Sequence, residues 1–176
     1  MKSILLTLIV AFTFCFTSAQ ERPILDWNFF KNDRPANGKY QAFTWTILSY
    51  KYNFIKSNQE QMNMRFVVSS KADTAQSYFE SARRLKNDTL LLKHEQGHAD
   101  IVYIYAVRLK EIFQQTPFYK RNYKTEIDAI FNVLFANMRA EQARYDLETN
   151  HSKNRVEQRK WNEYFEKTIR DFAVTK

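Results

Sequence analysis

Residues that interrupt regular structure are scarce in this chain. Among its 176 residues there are two glycines and three prolines, whereas 16% of the residues are aromatic. Glycine supplies most left-handed turn conformations and proline ends helices, so their scarcity favours long, uninterrupted strands and helices. The aromatic side chains supply the apolar area that a folded core requires. We therefore expect a single domain built from a few long elements.

The first half of the chain carries strand patterns. Aromatic and β-branched residues fill positions 40–54, and Met62–Val68 follows the period of two that is typical of a strand with one buried face. Asn37-Gly38, just before these segments, adopts positive φ easily and predicts a turn. We predict a small, mainly antiparallel sheet in residues 40–70, within a sheet-rich part of the domain that spans residues 20–75.

The second half carries helical patterns. Asp88 is a good N-cap residue, and apolar residues then recur at three- and four-residue spacing until Thr116-Pro117 ends the pattern. A second helix is predicted from about Lys124 to Leu147, and a third follows a polar break at residues 148–151. The expected fold class is α+β, with a sheet followed by three long helices in residues 76–176.

The first nineteen residues have the composition of a secretory signal peptide. Lys2 precedes an apolar run from Ile4 to Phe16, and small residues follow up to Ala19. The run is shorter than the roughly 20 residues that a membrane-spanning helix requires. We expect cleavage after Ala19, export to the periplasm or the medium, and no membrane span. Because the single cysteine, Cys15, lies in the signal, a metal bound by the mature chain must use His, Asp or Glu.

The residues most indicative of chemistry are His94-Glu95-Gln96-Gly97-His98, in the first predicted helix. A helix turns by about 400° over four residues, so His94 and His98 project from one face and can bind the same zinc ion. Glu95 lies about 100° further round, where it can accept a proton from an activated water without being a ligand. This H-E-x-x-H pattern of zincins predicts one Zn²⁺ ion, with Glu95 as the general base.

A catalytic zinc site needs a third protein ligand and an open position. His151 is the one remaining histidine, and it lies in the predicted break between the second and third helices, from which it can turn back to the first. Glu141, on the inward stripe of the second helix, and Asp146, near the end of that helix, are the alternatives. Candidates that are not ligands would accept hydrogen bonds from the imidazole N–H groups.

Two further residues near the motif require an explanation. A glycine inside a helix costs about 1 kcal/mol relative to alanine, so we expect another backbone to approach Gly97 closely. Tyr145 is a candidate hydrogen-bond donor to a developing oxyanion, and a tyrosine of the core is the alternative. The Met62–Val68 strand is a candidate edge on which an extended substrate could pair.

Three segments of the chain resemble those of the bacterial DUF922 family. They are Leu25–Phe30, Leu92–Ile101 and Tyr145–His151, the last of which resembles the family's Tyr-Asp-x-x-Thr-x-His block. The family comprises secreted proteins of unknown role that are classed by resemblance with zinc-dependent peptidases. The resemblance implies a zincin-like fold, a peptidase activity and a metal ligand at His151. Where the family's block usually continues with glycine, this chain has Ser152.

These observations predict a secreted or periplasmic zinc metallopeptidase that hydrolyses peptide or protein substrates. The alternative is a non-catalytic envelope protein with a structural or decayed zinc site, whose net charge of +8 favours binding of an anionic polymer. The basic residues are spread along the chain without a recognised nucleic-acid motif, so we expect no nucleic-acid partner.

Overall fold

The computed structural model of the chain describes residues 21–34, 41–55 and 60–174. Within these ranges the protein is an α+β fold with a small sheet and four helices, which confirms the fold class at that level. The predicted signal peptide at residues 1–19 and the Asn37-Gly38 turn lie outside the described residues. No helix in the described ranges is both long enough and apolar enough to cross a membrane.

The sheet is built on a long antiparallel hairpin. Its strands are β1 (Asn32–Arg34), β2 (Ala42–Ile55), β3 (Gln61–Glu80) and β4 (Phe118–Tyr119). β2 and β3 run antiparallel, β1 pairs in parallel with the end of β3, and β4 pairs antiparallel with its beginning. The order β1-β3-β2 leaves β2 with an unpaired edge in the described part of the sheet.

The sheet extends further along the chain than the sequence pattern indicates. β3 continues to Glu80, beyond the predicted boundary at residue 75. Residues 74–76 are exposed, but Ser77, Tyr78 and Phe79 are buried again, and Tyr78 and Phe79 pair with both β1 and β2. The polar excursion therefore interrupts the sequence pattern without ending the strand.

The helices follow the sheet and pack on one another. They are α1 (Ser81–Leu85), α2 (Thr89–Gln115), α3 (Tyr123–Thr149) and α4 (Arg155–Val174). α2 begins where the sequence predicts, because the Asp88 carboxylate accepts a hydrogen bond from the N–H of Leu91 at 3.1 Å. It ends at Gln115, before Pro117.

α2 is the central element of the fold. Every residue from 99 to 107 is buried, because the helix contacts the sheet on one side and α3 and α4 on the other. A helix that is apolar around its circumference is expected only in such an enclosed position. Its second half forms the main core together with Phe118, Ile127, Met138 and Phe165.

The N-terminal segment runs against α2 and is fixed by polar side chains. Arg22 donates two hydrogen bonds to the Asp100 carboxylate, at 2.7 and 2.8 Å. Gln96 accepts from the N–H of Leu25 at 2.8 Å and donates to the carbonyl of Pro23 at 2.9 Å. A smaller apolar cluster that includes Phe30, Phe79 and Leu91 lies nearby.

Candidate metal centre

Two histidines of α2 converge on one point. His94 and His98 are one helical turn apart, with side chains 2% and 15% exposed. Their rings are nearly perpendicular, at 85°, and their Nε2 atoms lie 3.3 Å apart. The four-residue spacing therefore places both nitrogens on the same side of the helix, as a shared metal ion requires.

Asp146 of α3 completes a triangle with these nitrogens. Its Oδ1 lies 3.1 Å from Nε2 of His94 and 3.2 Å from Nε2 of His98. Two imidazoles and one carboxylate are a donor set that suits divalent transition metals. His94, His98 and Asp146 thus form a group that could hold a metal ion, and we refer to them as the metal triad.

Two glutamines fix the orientation of the imidazole rings. Gln158 of α4 accepts a hydrogen bond from Nδ1 of His94 at 3.1 Å, and Gln142 of α3 accepts one from Nδ1 of His98. Their amide groups are oriented in turn, because Gln158 donates to the Tyr145 hydroxyl at 2.7 Å and Gln142 donates to the His98 carbonyl at 3.0 Å. With each Nδ1–H engaged in this way, each Nε2 directs its lone pair into the triangle.

The metal triad therefore consists of three acceptors that face one another. Their separations of 3.1 to 3.3 Å are close to the edge of about 3.3 Å expected between tetrahedral zinc ligands with bonds of about 2.0 Å. A cation at the centre would satisfy all three lone pairs. The donor set and its spacing thus fit a divalent metal.

The pKa values of His98 and Asp146 are shifted by their proximity within the triad. Burial lowers the pKa of His98, but the hydrogen bond to Asp146 and the nearby carboxylates outweigh it and raise that pKa above its ordinary value. Burial acts to raise the pKa of Asp146, but its contacts with the His94 and His98 side chains hold that pKa well below its usual range. Both shifts favour the charged pair, in which His98 is protonated and Asp146 is ionised.

Glu95 lies beside the triad and is 3% exposed. Its Oε2 accepts a hydrogen bond from the Thr44 hydroxyl at 2.6 Å. Across the described ranges Oε1 has no hydrogen-bond partner, and both Glu95 and Thr44 line the cleft that borders the triad. The carboxylate is thus oriented by β2 and retains one oxygen that can accept a proton.

Tyr145 is a core residue in contact with Gly97. Its hydroxyl donates to the His94 carbonyl at 3.1 Å and accepts from Gln158, and the residue is fully buried. A Cβ at position 97 would come within 2.9 Å of three atoms of the phenol. The expectation that a backbone approaches Gly97 was therefore wrong, because an aromatic side chain fills this space. Burial also raises the pKa of Tyr145 above its ordinary value.

His151 lies next to the triad but outside it. Its Nδ1 is 3.1 Å from Oδ1 of Asp146, and its side chain is about half exposed. It belongs to a turn in which Asn150, His151 and Ser152 have φ of 46°, 49° and 73°. The left-handed φ of Ser152 is one that glycine adopts more readily than other residues. The role of His151 as a ligand stays a prediction.

Glu141 is not brought to the histidines. Its Oε2 accepts a hydrogen bond from the Tyr105 hydroxyl at 2.8 Å, and burial together with this contact raises the pKa of Tyr105 to about 12. Tyr105 lies seven residues beyond His98 on α2, or about 10 Å along the helix. Of the three candidates for the third ligand, Asp146 is the one within the triad.

The triad borders a cleft of about 1010 Å³ between β2, α2 and α3. Gln41 and the start of β2 (residues 42–46) line one side, and Phe135, Met138 and Ala143 of α3 line another. Met62–Val68 does not line the cleft, because Met62 pairs with β4 and the inward side chains of that segment pack in the main core. The strand that lines the cleft is therefore β2, whereas Met62–Val68, the candidate edge for an extended substrate, lies away from it.

The sequence patterns do not identify three residues of the site: Gln142, Gln158 and Thr44. Gln142 had a usable signal, since it lies four residues before Asp146 and therefore on the same face of α3. Gln158 and Thr44 had none, because each reaches the site only through the packing of its element against α2. Neutral amides and hydroxyls are also absent from the metal-binding patterns that identify ligands.

Comparison with known proteins identifies one family. Residues 30–152 match the family described as bacterial protein of unknown function (DUF922). The match covers well over half of the chain and includes the metal triad and Glu95, whereas α4, which carries Gln158, lies beyond it. No curated protein matches the chain, and no solved structure does.

Proposed function

The chain belongs to the DUF922 family, and from this premise and the geometry of the site we propose that it is an exported zinc metallopeptidase. The observation that carries the proposal is the metal triad with Glu95 beside it. His94, Glu95 and His98 lie on one turn of α2, and Asp146 on α3 supplies the third convergent lone pair. When bound, zinc supplies Lewis-acid chemistry that acidifies water and polarises a carbonyl.

The residues of the chain have separable roles in this proposal. His94, His98 and Asp146 hold the ion, and Gln142 and Gln158 keep the imidazole rings in the ligating tautomer. Glu95 accepts a proton at Oε1 and returns it to the nitrogen of the leaving amine. Thr44 holds the other oxygen of Glu95 and so keeps the carboxylate facing the cleft.

The edge of β2 supports a peptide as substrate. Residues 41–46 line the cleft, and in the described part of the sheet β2 pairs with β3 on one side only. An extended peptide can add to such an edge through backbone hydrogen bonds, without requiring a particular side chain. The substrate would then pass directly over Glu95, which Thr44 of β2 contacts.

The decisive experiment combines metal analysis with one isosteric variant. We expect the purified mature protein to bind one zinc ion, and Glu95→Gln to retain the ion while peptide cleavage falls by about 10²- to 10⁴-fold. Bound iron would overturn the assignment of zinc, because two histidines and one carboxylate also ligate non-haem iron. Equal activity of Glu95→Gln and the wild type would overturn the mechanism. Unfolding on metal removal in a protein that cleaves no peptide would establish a structural site.

Export is part of the proposal and rests on the sequence of residues 1–19. N-terminal sequencing of the protein from the culture medium or the periplasm should begin at Gln20. Recovery of the intact chain from the cytosol would remove this element without affecting the metal site.

A further inference from the structure

Two basic side chains line the cleft without an ion-pair partner. Arg139 of α3 and Lys153, in the turn after α3, are exposed, and neither makes an ion pair with any other described residue. Glu80, which also lines the cleft, lies 3.8 Å from Arg83. Apart from the metal triad and Glu95, the uncompensated charge of the cleft is therefore positive.

These cations lie on either side of the metal triad along the chain. Arg139 precedes Asp146 by seven residues on one helix, which is about 10 Å along its axis. An extended peptide advances by about 3.3 Å per residue, so this distance corresponds to about three residues. Lys153 follows His151 by two residues, and His151 contacts Asp146 at 3.1 Å.

The wall next to Arg139 is apolar. Phe135 and Met138 line the cleft there, and Met138 is 4% exposed. A carboxylate that approaches Arg139 at this position would be partly shielded from water, which strengthens its attraction to the guanidinium. Ala143, between Arg139 and Asp146, leaves room for a substrate side chain.

We propose that this cleft takes acidic peptides, with one carboxylate about three residues from the cleaved bond that pairs with Arg139 and a second carboxylate that pairs with Lys153. The inference rests on the proposed function, because it takes the metal triad as the position of the cleaved bond. Complementary charges at a cleft raise both the rate of encounter and the selectivity among ligands.

Binding to an inactive protein tests the inference without requiring turnover. The zinc-loaded Glu95→Gln variant is titrated with fluorescent eight-residue peptides that share an Ala-Leu-Phe-Ala centre and carry glutamate, glutamine or lysine on both flanks. We expect the glutamate peptide to bind about tenfold more tightly than the glutamine peptide at low salt, and this advantage to shrink in 0.5 M NaCl.

The contribution of the two cations is tested in the same background. Arg139→Gln combined with Lys153→Gln should abolish the preference for glutamate. Lys167→Gln combined with Arg170→Gln makes the same change of charge at exposed positions of α4 and should preserve it. Equal affinity for the three peptides, no binding of any of them, or an equal loss in the α4 control would overturn the inference.

Cleavage by the wild type separates this inference from the proposed function. If all three peptides are cleaved with equal kcat/KM, the peptidase stands and the preference for acidic peptides is overturned. If the glutamate peptide binds selectively but no peptide is cleaved, the charge preference is supported and the peptidase is overturned.

Discussion

α2 carries two pairs of polar side chains at the same four-residue spacing on different faces. His94 and His98 face α3, whereas Gln96 and Asp100 face the N-terminal segment. On the second face every acceptor meets a donor of the protein: Arg22 binds both oxygens of Asp100, and Gln96 donates to Oδ1 of Asp100 at 2.8 Å. Burial lowers the pKa of Arg22, but the hydrogen bond to Asp100 is the larger effect and raises it.

The two faces differ in where the positive charge that balances their acceptors comes from. The Asp100 face contains its own guanidinium, so its charges are balanced within the fold. The metal triad has two imidazoles whose lone pairs are turned inward by Gln142 and Gln158, and a carboxylate between them. Identical spacing on one helix thus produces a closed ion pair on one face and a site that could hold an added cation on the other.

Exchanging a carboxylate for an amide on each face should have unequal effects on metal binding. We expect Asp146→Asn to weaken zinc binding at least about 100-fold, or about 2.8 kcal/mol, because a ligand loses its charge. Asp100→Asn should leave the affinity within about twofold. Competition with a chromogenic chelator measures both values, and a comparable loss in the two variants would mean that the faces do not differ as described.

Removing the guanidinium of Arg22, which pairs with Asp100, should lower the stability of the fold without weakening metal binding. Arg22→Ala leaves the Asp100 carboxylate, which is 3% exposed, without its charged partner, and we expect a loss of about 2 kcal/mol in the free energy of unfolding. Urea denaturation of the metal-free protein measures it. Arg22→Met combined with Asp100→Leu should recover much of the loss, and an unaltered midpoint in Arg22→Ala would contradict the assignment.

A substitution at Gly97 tests the close packing of α2 against Tyr145 of α3. Alanine is the better helix former by about 1 kcal/mol, yet its Cβ would overlap the buried phenol of Tyr145. We expect Gly97→Ala to destabilise the metal-free protein by about 1 to 2 kcal/mol and to weaken zinc binding, because Tyr145 adjoins Asp146. Thermal unfolding and the chelator assay are the measurements. A gain of stability would show that the Tyr145 ring can move aside at little cost in free energy.

The smallest expected effect is a difference in pH response. In the metal-free protein the pKa of His98 is raised, so its contribution to stability is complete below about pH 6.5 and is lost as the pH rises through the folded-state pKa. In the zinc-loaded protein protons compete with the metal, so stability falls as the pH decreases through the same range. Thermal midpoints at pH 6 and pH 8.5, with and without chelator, should change in opposite directions. If the thermal midpoints change in the same direction with and without chelator, the proton and the metal do not compete for one site.

Most of the helical frame could be predicted from local chemistry. Asp88 and Pro117 determine where α2 begins and ends, and the period-two pattern indicates the β2–β3 hairpin. The position of β1 could not be predicted, because a three-residue parallel strand has no pattern of its own and pairs with residues 46 positions later in the chain. The last residues of β3 were also not predicted, because the exposed residues 74–76 interrupt the pattern and the residues after them are too few to form a pattern of their own.

The site was predictable to the extent that it lies on one helix. The spacing of His94 and His98 sufficed to predict their convergence, since helix geometry alone determines it. The third corner depends on how α3 packs against α2, and the sequence therefore left His151, Glu141 and Asp146 as alternatives. The roles of Gln142 and Gln158 depend on the same packing.

The contact between Gly97 and Tyr145 has a consequence for the choice of ion. Gly97 precedes His98 and Tyr145 precedes Asp146, so we expect the contact between Gly97 and the hydroxyl end of the Tyr145 ring to determine how far apart α2 and α3 hold their ligands. The spacing of these ligands suits small cations with bonds near 2.0 Å and disfavours calcium, which prefers 2.3 to 2.6 Å and six to eight oxygen ligands. We expect ion-size selectivity in this protein to depend on the phenol ring of Tyr145, which is not one of the three residues that could hold the ion.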